Sequence, residues 1–340
     1  MSELSNRVTG RCYIIAEIGG NFVTAEEGVR LVKEAAACGV DAVKLQTYRP
    51  ETLASRKAVF DMENTGKMSQ YELFERYAIG EDVHARIVEE ARVHGLDWFS
   101  TPSHETDLAL LERLGAPAYK IGSDDATNLP FLDRVARAGK PVLLSTGMCT
   151  LSEVGEAVDT ILGAGCRDLT LLHAVTSYPT HAEHVNLAAM TTMRRCFDPL
   201  PVGYSDHTIG TTACICAVAM GACVIEKHFT VDKGAEGPDH MLSADPSEMK
   251  AIVDAVRLFE RMRGDGIKRP VEAEHTTRLN NRKSIVAARD VAAGERLKRA
   301  DLAVKRPGYG IPPREIDRVV GRRAAVDLAR DDVLAWDDLA

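Results

Sequence analysis

Between residues 12 and about 263, short runs of β-type residues alternate with amphipathic helical runs, and no other feature limits the fold as much. Strands are expected at 12–18, 41–46, 96–100, 118–121, 141–145, 169–173, 201–205 and 222–228, with helical stretches between them such as 25–37, 82–94, 152–162 and 246–262. Eight strands, each followed by a helix, match the count and size of a (β/α)8 barrel, a TIM barrel of the α/β class. An open doubly wound sheet uses fewer strands and a glycine-rich first turn, whereas Gly19-Gly20-Asn21-Phe22 lacks the GxGxxG spacing. Segment 47–78 exceeds an ordinary βα connection and reads as an active-site loop with some local structure.

The periodicity stops near Gly264, where a polar stretch with Gly266 and Pro270 reads as a linker. Beyond it, Ala287-Ala288-Arg289-Asp290-Val291-Ala292 returns as Ala324-Ala325-Val326-Asp327-Leu328-Ala329, and Asp301-Leu302 returns as Asp338-Leu339 at the same offset. That predicts a small duplicated β-rich unit. The expected division is a barrel over 1–265, a linker over 266–282 and the β unit over 283–340.

Composition narrows the partners. A net charge of −8 argues against a general nucleic-acid surface, yet a few buried cations can still dominate a local anion site. No apolar run is long enough to span a bilayer, and residues 1–11 lack the apolar stretch of a secretory signal, so a cytoplasmic protein away from the membrane is expected. The eight cysteines contain no CxxC pair and read as reduced core thiols.

Residues at the carboxyl ends of barrel strands share one site, and here those ends are polar. Lys44/Gln46, Ser205/His207 and Glu226/His228 are i, i+2 pairs, so both members of each face the same side of a strand. His207 and His228 end neighbouring strands and are candidate ligands for a divalent cation of the Mn, Fe, Co or Zn kind. Asp206 reads as a second partner of that site or a base. Lys44 and Lys120, with Thr101, Ser123, Ser145 and Ser205, suit a phosphate beside a carboxylate. Glu17, Asp125, Glu226 and Asp239 are candidate acid–base groups whose pKa values should separate in a crowded site. His84, His94, His104, His181, His184 and His275 read as helix or loop residues, mostly exposed.

The strand-end strings AEIG (16–19), VKLQT (43–47), STP (100–102), YKIGS (119–123), LSTGM (144–148), LLH (171–173), YP (178–179), GYSDHT (203–208), EKHFT (226–230), GPDH (237–240) and KRPGYGI (305–311) resemble the sialic acid synthase (N-acetylneuraminate synthase) family, the phosphoenolpyruvate-dependent nonulosonate synthases. They run in family order over nearly the whole chain. The resemblance implies a barrel followed by an antifreeze-like (SAF, β-clip) domain, and a domain-swapped homodimer in which each tail caps the partner's site. It implies a metal-dependent transferase joining phosphoenolpyruvate to an amino-sugar aldehyde, with Mn2+ preferred and Mg2+ or Co2+ as alternatives. Residue by residue, it implies that His207 and His228 ligate the metal. Lys44, Thr101, Lys120, Ser123, Ser145 and Ser205 would hold phosphoenolpyruvate; Gln46, Tyr178, Asp239, Glu17 and Arg306 would handle the sugar, with Arg306 reaching into the neighbouring subunit. Glu17, Asp125 and Glu226 are the expected catalytic carboxylates.

Three departures from the family pattern are Phe22-Val23-Thr24 in place of a His-x-Gly turn, Asp125 in place of Glu, and Ala174-Val175 in place of Cys-Thr. They are expected on the sugar side of the site. Two enzymic rivals fit the same residues: a Schiff-base aldolase using Lys120 or Lys44, and a condensing enzyme for a phosphorylated sugar, which needs a further basic pocket. A non-catalytic sugar-binding barrel is the third.

Overall fold

The computed structural model describes residues 11–63 and 65–340. The chain divides into two compact units, Met1–Arg263 and Gly264–Ala340. In the first, β1 (Tyr13–Glu17), β2 (Ala42–Thr47), β5 (Asp97–Pro102), β6 (Tyr119–Ile121), β7 (Val142–Ser145), β8 (Leu169–Ala174), β9 (Val202–Asp206) and β10 (Val224–His228) close an all-parallel barrel, with β10 pairing back onto β1. The remaining two strands of this unit, β3 (Val59–Met62) and β4 (Gly66–Ser69), form an antiparallel hairpin inside the long segment after β2, flanked by helices Pro50–Leu53 and Gln70–Tyr77.

The period of two sorts side chains between two cores. Ile14, Val43, Leu45, Trp98, Tyr119, Ile121, Leu144, Tyr204 and Ile225 face outward into the layer shared with the helices. Tyr13, Ile15, Ala42, Phe99, Leu143, Leu172 and Val224 fill the barrel interior. The interior residues one step further along each strand are the polar ones: Glu17, Lys44, Thr101, Lys120, Ser145, Ser205 and Glu226. Register sets Glu17 beside Lys44 on one side and His228 on the other, and Glu226 beside Ser205. Gly203 leaves room in the packed interior, because a Cβ there would lie 2.6 Å from the Val224 carbonyl oxygen and 2.7 Å from Leu172 Cδ2.

Asp206 is not on the rim. It faces outward, where Lys227 Nζ lies 2.8 Å from Oδ2 and both side chains are fully buried. Tyr204 OH and the Thr208 amide donate to Oδ1 at 2.8 and 3.0 Å, and Lys227 also donates to the Thr208 carbonyl. Asp206 and Lys227 alternate with His207 and His228, so they sit behind the imidazoles. His84 is buried too: Nδ1 donates to the Gly80 carbonyl at 2.8 Å and Nε2 accepts from Thr47 Oγ1 at 2.9 Å, behind β2. The other five histidines expected in helices or loops are exposed or half-buried.

Phe22 points into the helix-side core, packing against Ile87 where Gly28 leaves space, and Thr24 caps helix Ala25–Cys38 with Glu27. The Phe22-Val23-Thr24 departure is therefore a matter of core packing and capping, not of the sugar side. All eight cysteines are free thiols. Among the described residues, no helix is long and apolar enough to cross a membrane.

In the second unit, β11 (Ser284–Ala287) pairs with β12 (Leu302–Lys305) around its own apolar core. The sequence repeat becomes a pseudo-twofold exchange. Val291 and Leu328 trade amide-to-carbonyl bonds at 2.8 and 2.9 Å. The Ala293 amide donates to Asp327, and the Arg330 amide to Asp290. Part of the stretch read as linker is helical, over His275–Asn281, and the Gly308 amide donates to Leu279 O at 2.6 Å, which ties it to the loop carrying Arg306.

Lys227→Met strands a buried carboxylate, so it should cost about 3–5 kcal/mol in urea unfolding. Adding Asp206→Asn should recover part of that loss.

Candidate active site

The strand ends enclose a cavity of about 500 Å3. Every sequence-predicted site residue lines it except Glu17, Asp125, Asp206 and Arg306. Glu17 lies immediately beneath the lining and is fully buried, with Oε2 2.7 Å from Lys44 Nζ and Oε1 accepting from Gln46 Nε2 at 3.0 Å. Asp125 turns away to accept from Asn128 Nδ2 at 2.9 Å, and the residue that reaches the cavity from this turn is Asp124. Sequence reasoning picks Asp125 of these two neighbours, and the structure turns Asp124 to the cavity instead. Arg306 belongs to the second unit and is exposed.

The lysines orient the hydroxyls. Lys44 Nζ donates to Thr101 Oγ1 at 3.0 Å, and Lys120 Nζ donates to Ser145 Oγ at 2.6 Å. The Gly147 amide donates to Ser123 Oγ at 2.9 Å. Each hydroxyl accepts from a fixed donor, so its own proton is free to turn into the cavity toward an anion. Ser205 differs, since its hydroxyl donates to Glu226 Oε1 at 2.9 Å. Thr176, which sequence reading passed over, adds a buried, unpartnered Oγ1 to the same lining. Gly147 has to be glycine beside it: a Cβ would fall 2.3 Å from that oxygen.

Five buried ionisable groups set the electrostatics. Burial lowers Lys120 to about 8 despite Glu226, whose Oε1 lies 3.8 Å from its Nζ. Burial also opposes charge on Lys44, but Glu17 and Glu226 outweigh it and hold the ammonium. Glu226 is likewise resisted by burial and kept ionised by Lys120 and Lys44. Glu17 is pushed up to about 7 by burial, with Lys44 pulling back, and Asp239 rises to about 7 through burial and the nearby Glu17. The carboxylates therefore divide into one firmly charged and two near neutrality.

The imidazole rings of His207 and His228 lie 5.5 Å apart between centroids, and burial holds both neutral. His207 Nδ1 donates to Val175 O at 2.7 Å, which leaves the Nε2 lone pair facing Tyr178 OH at 3.1 Å. His228 Nδ1 is buried without a hydrogen-bond partner, 3.5 Å from Asp239 Oδ2. Two neutral imidazoles, one with an orphaned nitrogen, fit a divalent cation. No group of three or more His, Cys, Asp or Glu side chains placed to hold a metal ion occurs among the described residues.

A closed parallel barrel whose strand ends carry buried ammonium groups, outward-turned hydroxyls and adjacent neutral imidazoles is the architecture of (β/α)8 enzymes that work on small anions. The family described as NeuB matches residues 31–268, and the SAF domain matches 282–340. The chain belongs to the NeuB family. It is 41% identical to the N,N'-diacetyllegionaminic acid synthase of Legionella pneumophila, over 96% of this chain and 94% of that one. It is 34% identical to the pseudaminic acid synthase of Campylobacter jejuni over 96% of each. A crystal structure of N-acetylneuraminic acid (sialic acid) synthetase from Leptospira borgpetersenii, in complex with citrate, aligns with a TM-score of 0.70 and 30% identity, covering 78% of this chain and 90% of that chain.

Glu17 keeps its proton in the folded chain to about pH 7 but loses it near 4.5 when unfolded, so the folded state holds more protons across that window. Wild-type stability should therefore fall relative to Glu17→Gln as pH rises from about 4.5 to 7. Urea unfolding of both proteins at several pH values checks this. The opposite trend would mean that Lys44 holds Glu17 as a settled carboxylate.

Proposed function

We propose that this chain is a nonulosonic acid synthase. Carbon 3 of phosphoenolpyruvate attacks the aldehyde carbon of an open-chain N-acylamino hexose, water adds at carbon 2, and phosphate leaves by C–O cleavage. The observation that carries this reading is the joining of two buried lysines, the hydroxyls that accept from them and the two imidazoles around one cavity large enough for both substrates.

Lys44 and Lys120 bind the carboxylate and phosphate, and the protons of Thr101, Ser123 and Ser145 complete the anion shell. Glu226 keeps one oxygen on Ser205 and has Oε2 unpartnered, so it can align the attacking water and draw on its proton. Asp125 drops out of that role because it turns from the cavity. Gln46, Asp239 and Tyr178 orient the sugar, with Glu17 holding Gln46 from below. His207 and His228 would hold a divalent cation, Mn2+ ahead of Mg2+ or Co2+, which would supply Lewis acidity toward the aldehyde oxygen.

Phosphoenolpyruvate labelled with 18O in the bridging position should release labelled phosphate, read by 31P NMR, only when an amino-sugar aldehyde is present. Chelation should stop the release and Mn2+ restore it. Lys120→Met should lower kcat/KM for phosphoenolpyruvate by about 10²–10³. Label retained in the sugar acid, or release that ignores the aldehyde, would count against the reading.

A Schiff-base aldolase gains support from one observation, the lowering of Lys120 to about 8. Its Nζ is engaged with Ser145 Oγ and Ile121 O, which favours a binding role. Borohydride inactivation in the presence of pyruvate would decide for the aldolase.

The second unit acts in trans: each tail brings Arg306 to the partner's cavity in a homodimer. Co-expressing Arg306→Ala with Lys120→Met should then restore roughly a quarter of wild-type activity, because half the dimers are mixed and each has one intact site. No recovery means that Arg306 serves its own barrel, and full activity of Arg306→Ala alone means that it serves neither.

A further inference from the structure

One short segment holds the imidazole of His207 at both of its nitrogens. Residues 175–180 follow β8 and close on themselves: Thr180 Oγ1 donates to Val175 O at 3.2 Å and to Ser177 O at 2.8 Å, and the Thr180 amide donates to His207 O at 2.9 Å. From this closed turn Val175 O accepts from His207 Nδ1 at 2.7 Å, and Tyr178 OH reaches His207 Nε2 at 3.1 Å. A carbonyl only accepts, so it fixes the ring proton on Nδ1. The phenol is then the donor at Nε2. The backbone of the turn is tied down, while the Tyr178 side chain is half-buried and lines the cavity.

The two imidazoles are therefore unlike. His228 Nδ1 is buried without a hydrogen-bond partner, whereas Nε2 of His207 is already engaged. An imidazole nitrogen without a proton has one lone pair, in the ring plane. A cation on His207 Nε2 and the Tyr178 proton cannot share it. Nδ1 offers no second route, because freeing it would break the bond to Val175. The Tyr178 ring lies 4.2 Å from that of His207 and meets His228 edge-on at 6.1 Å between centroids, so the phenol stands against both rings.

We infer that Tyr178 is a metal-responsive switch: its hydroxyl occupies the ligating lone pair of His207 until a divalent cation displaces it, and the displaced hydroxyl then turns its proton to the acceptor. The inference rests on the condensation reading above and adds an order of binding to it, cation before sugar. Both events use one proton, so the acceptor must tighten the cation as much as the cation tightens the acceptor. Loss of a neutral hydrogen bond shifts an equilibrium by about twofold to tenfold, which sets the size of the effect.

Mn2+ binding is read directly on the full chain, without phosphoenolpyruvate, from the electron paramagnetic resonance signal of the free ion. Tyr178→Phe keeps the ring and removes the proton, and it should bind Mn2+ about threefold to tenfold more tightly than wild type. N-acetylmannosaminitol, which lacks an aldehyde and cannot condense, probes the handover by calorimetry. Mn2+ should tighten its binding to wild type, and that gain should shrink about threefold in Tyr178→Phe. Mn2+ binding that is unchanged or weaker in Tyr178→Phe, or an equal gain in both proteins, would overturn the inference. His228→Ala separates this failure from failure of the reading beneath it. If Mn2+ binds wild type and His228→Ala alike, the cation sits elsewhere, and the metal's part in condensation falls with the switch. If His228→Ala loses Mn2+ while Tyr178→Phe leaves it unchanged, only the switch falls. Should Tyr178→Phe fail to fold, the near-ultraviolet tyrosine band of wild type decides. Saturating Mn2+ should move it to shorter wavelength as the phenol loses its acceptor, and an unmoved band overturns the inference.

Discussion

Four ionisable groups buried at one barrel mouth must satisfy one another before they can serve a substrate. An ammonium or carboxylate taken out of water loses hydration worth far more than one surface ion pair returns. Here Lys44 touches Glu17 and Lys120 approaches Glu226, while both lysines act on Glu226 through the low-dielectric interior. The hydrogen bonds to Thr101 and Ser145 complete the settlement. This arrangement keeps the lysines charged or nearly so, and it leaves hydroxyl protons, not hydroxyl lone pairs, turned to the cavity. An incoming dianion meets donors that need no rearrangement, which is the physical meaning of a preorganised site.

The ion pair behind the imidazoles supports the same geometry from the dry side. Asp206 and Lys227 hold two neighbouring strands in a register that places His207 and His228 together. They also alternate with the histidines, so a residue that resembles a base by position is a brace by orientation. Val175 extends this support: its carbonyl fixes His207 Nδ1 and therefore directs Nε2 inward. Only the backbone of Val175 is needed for that contact, which explains why the side chain at this position departs from the family pattern without consequence for the ring.

The barrel was legible in the chain because strand and helix periods differ and each strand is short. The i, i+2 pairs were legible for the same reason, and Lys44, Gln46, Ser205, His207, Glu226 and His228 all point inward. Beyond the strand ends, period ceases to inform. Asp124 and Asp125 lie on a single 3-10 turn, and only its winding decides which one meets the cavity. Phe22 follows β1 in a turn and swings outward, a choice made by space beside Gly28 and Ile87 rather than by residue type. His84 hides because Thr47 and Gly80 satisfy both ring nitrogens, and neither partner announces itself in the sequence. The linker helix over His275–Asn281 escaped because Leu279 is its one apolar residue, so no apolar stripe marks it.

The site is therefore uneven in its constraints. On the lysine side each of the hydroxyls of Thr101, Ser123 and Ser145 is held by another donor, and altering one disturbs several. On the other side the wall is built from the segment after β2, whose hairpin is a separate two-stranded sheet joined to the helix Gln70–Tyr77 through Phe60 and Phe74. A hairpin outside the barrel's hydrogen-bond ladder can change its apolar surface without breaking a strand pairing or unpairing a buried charge. Acceptor choice can then vary while the chemistry stays fixed.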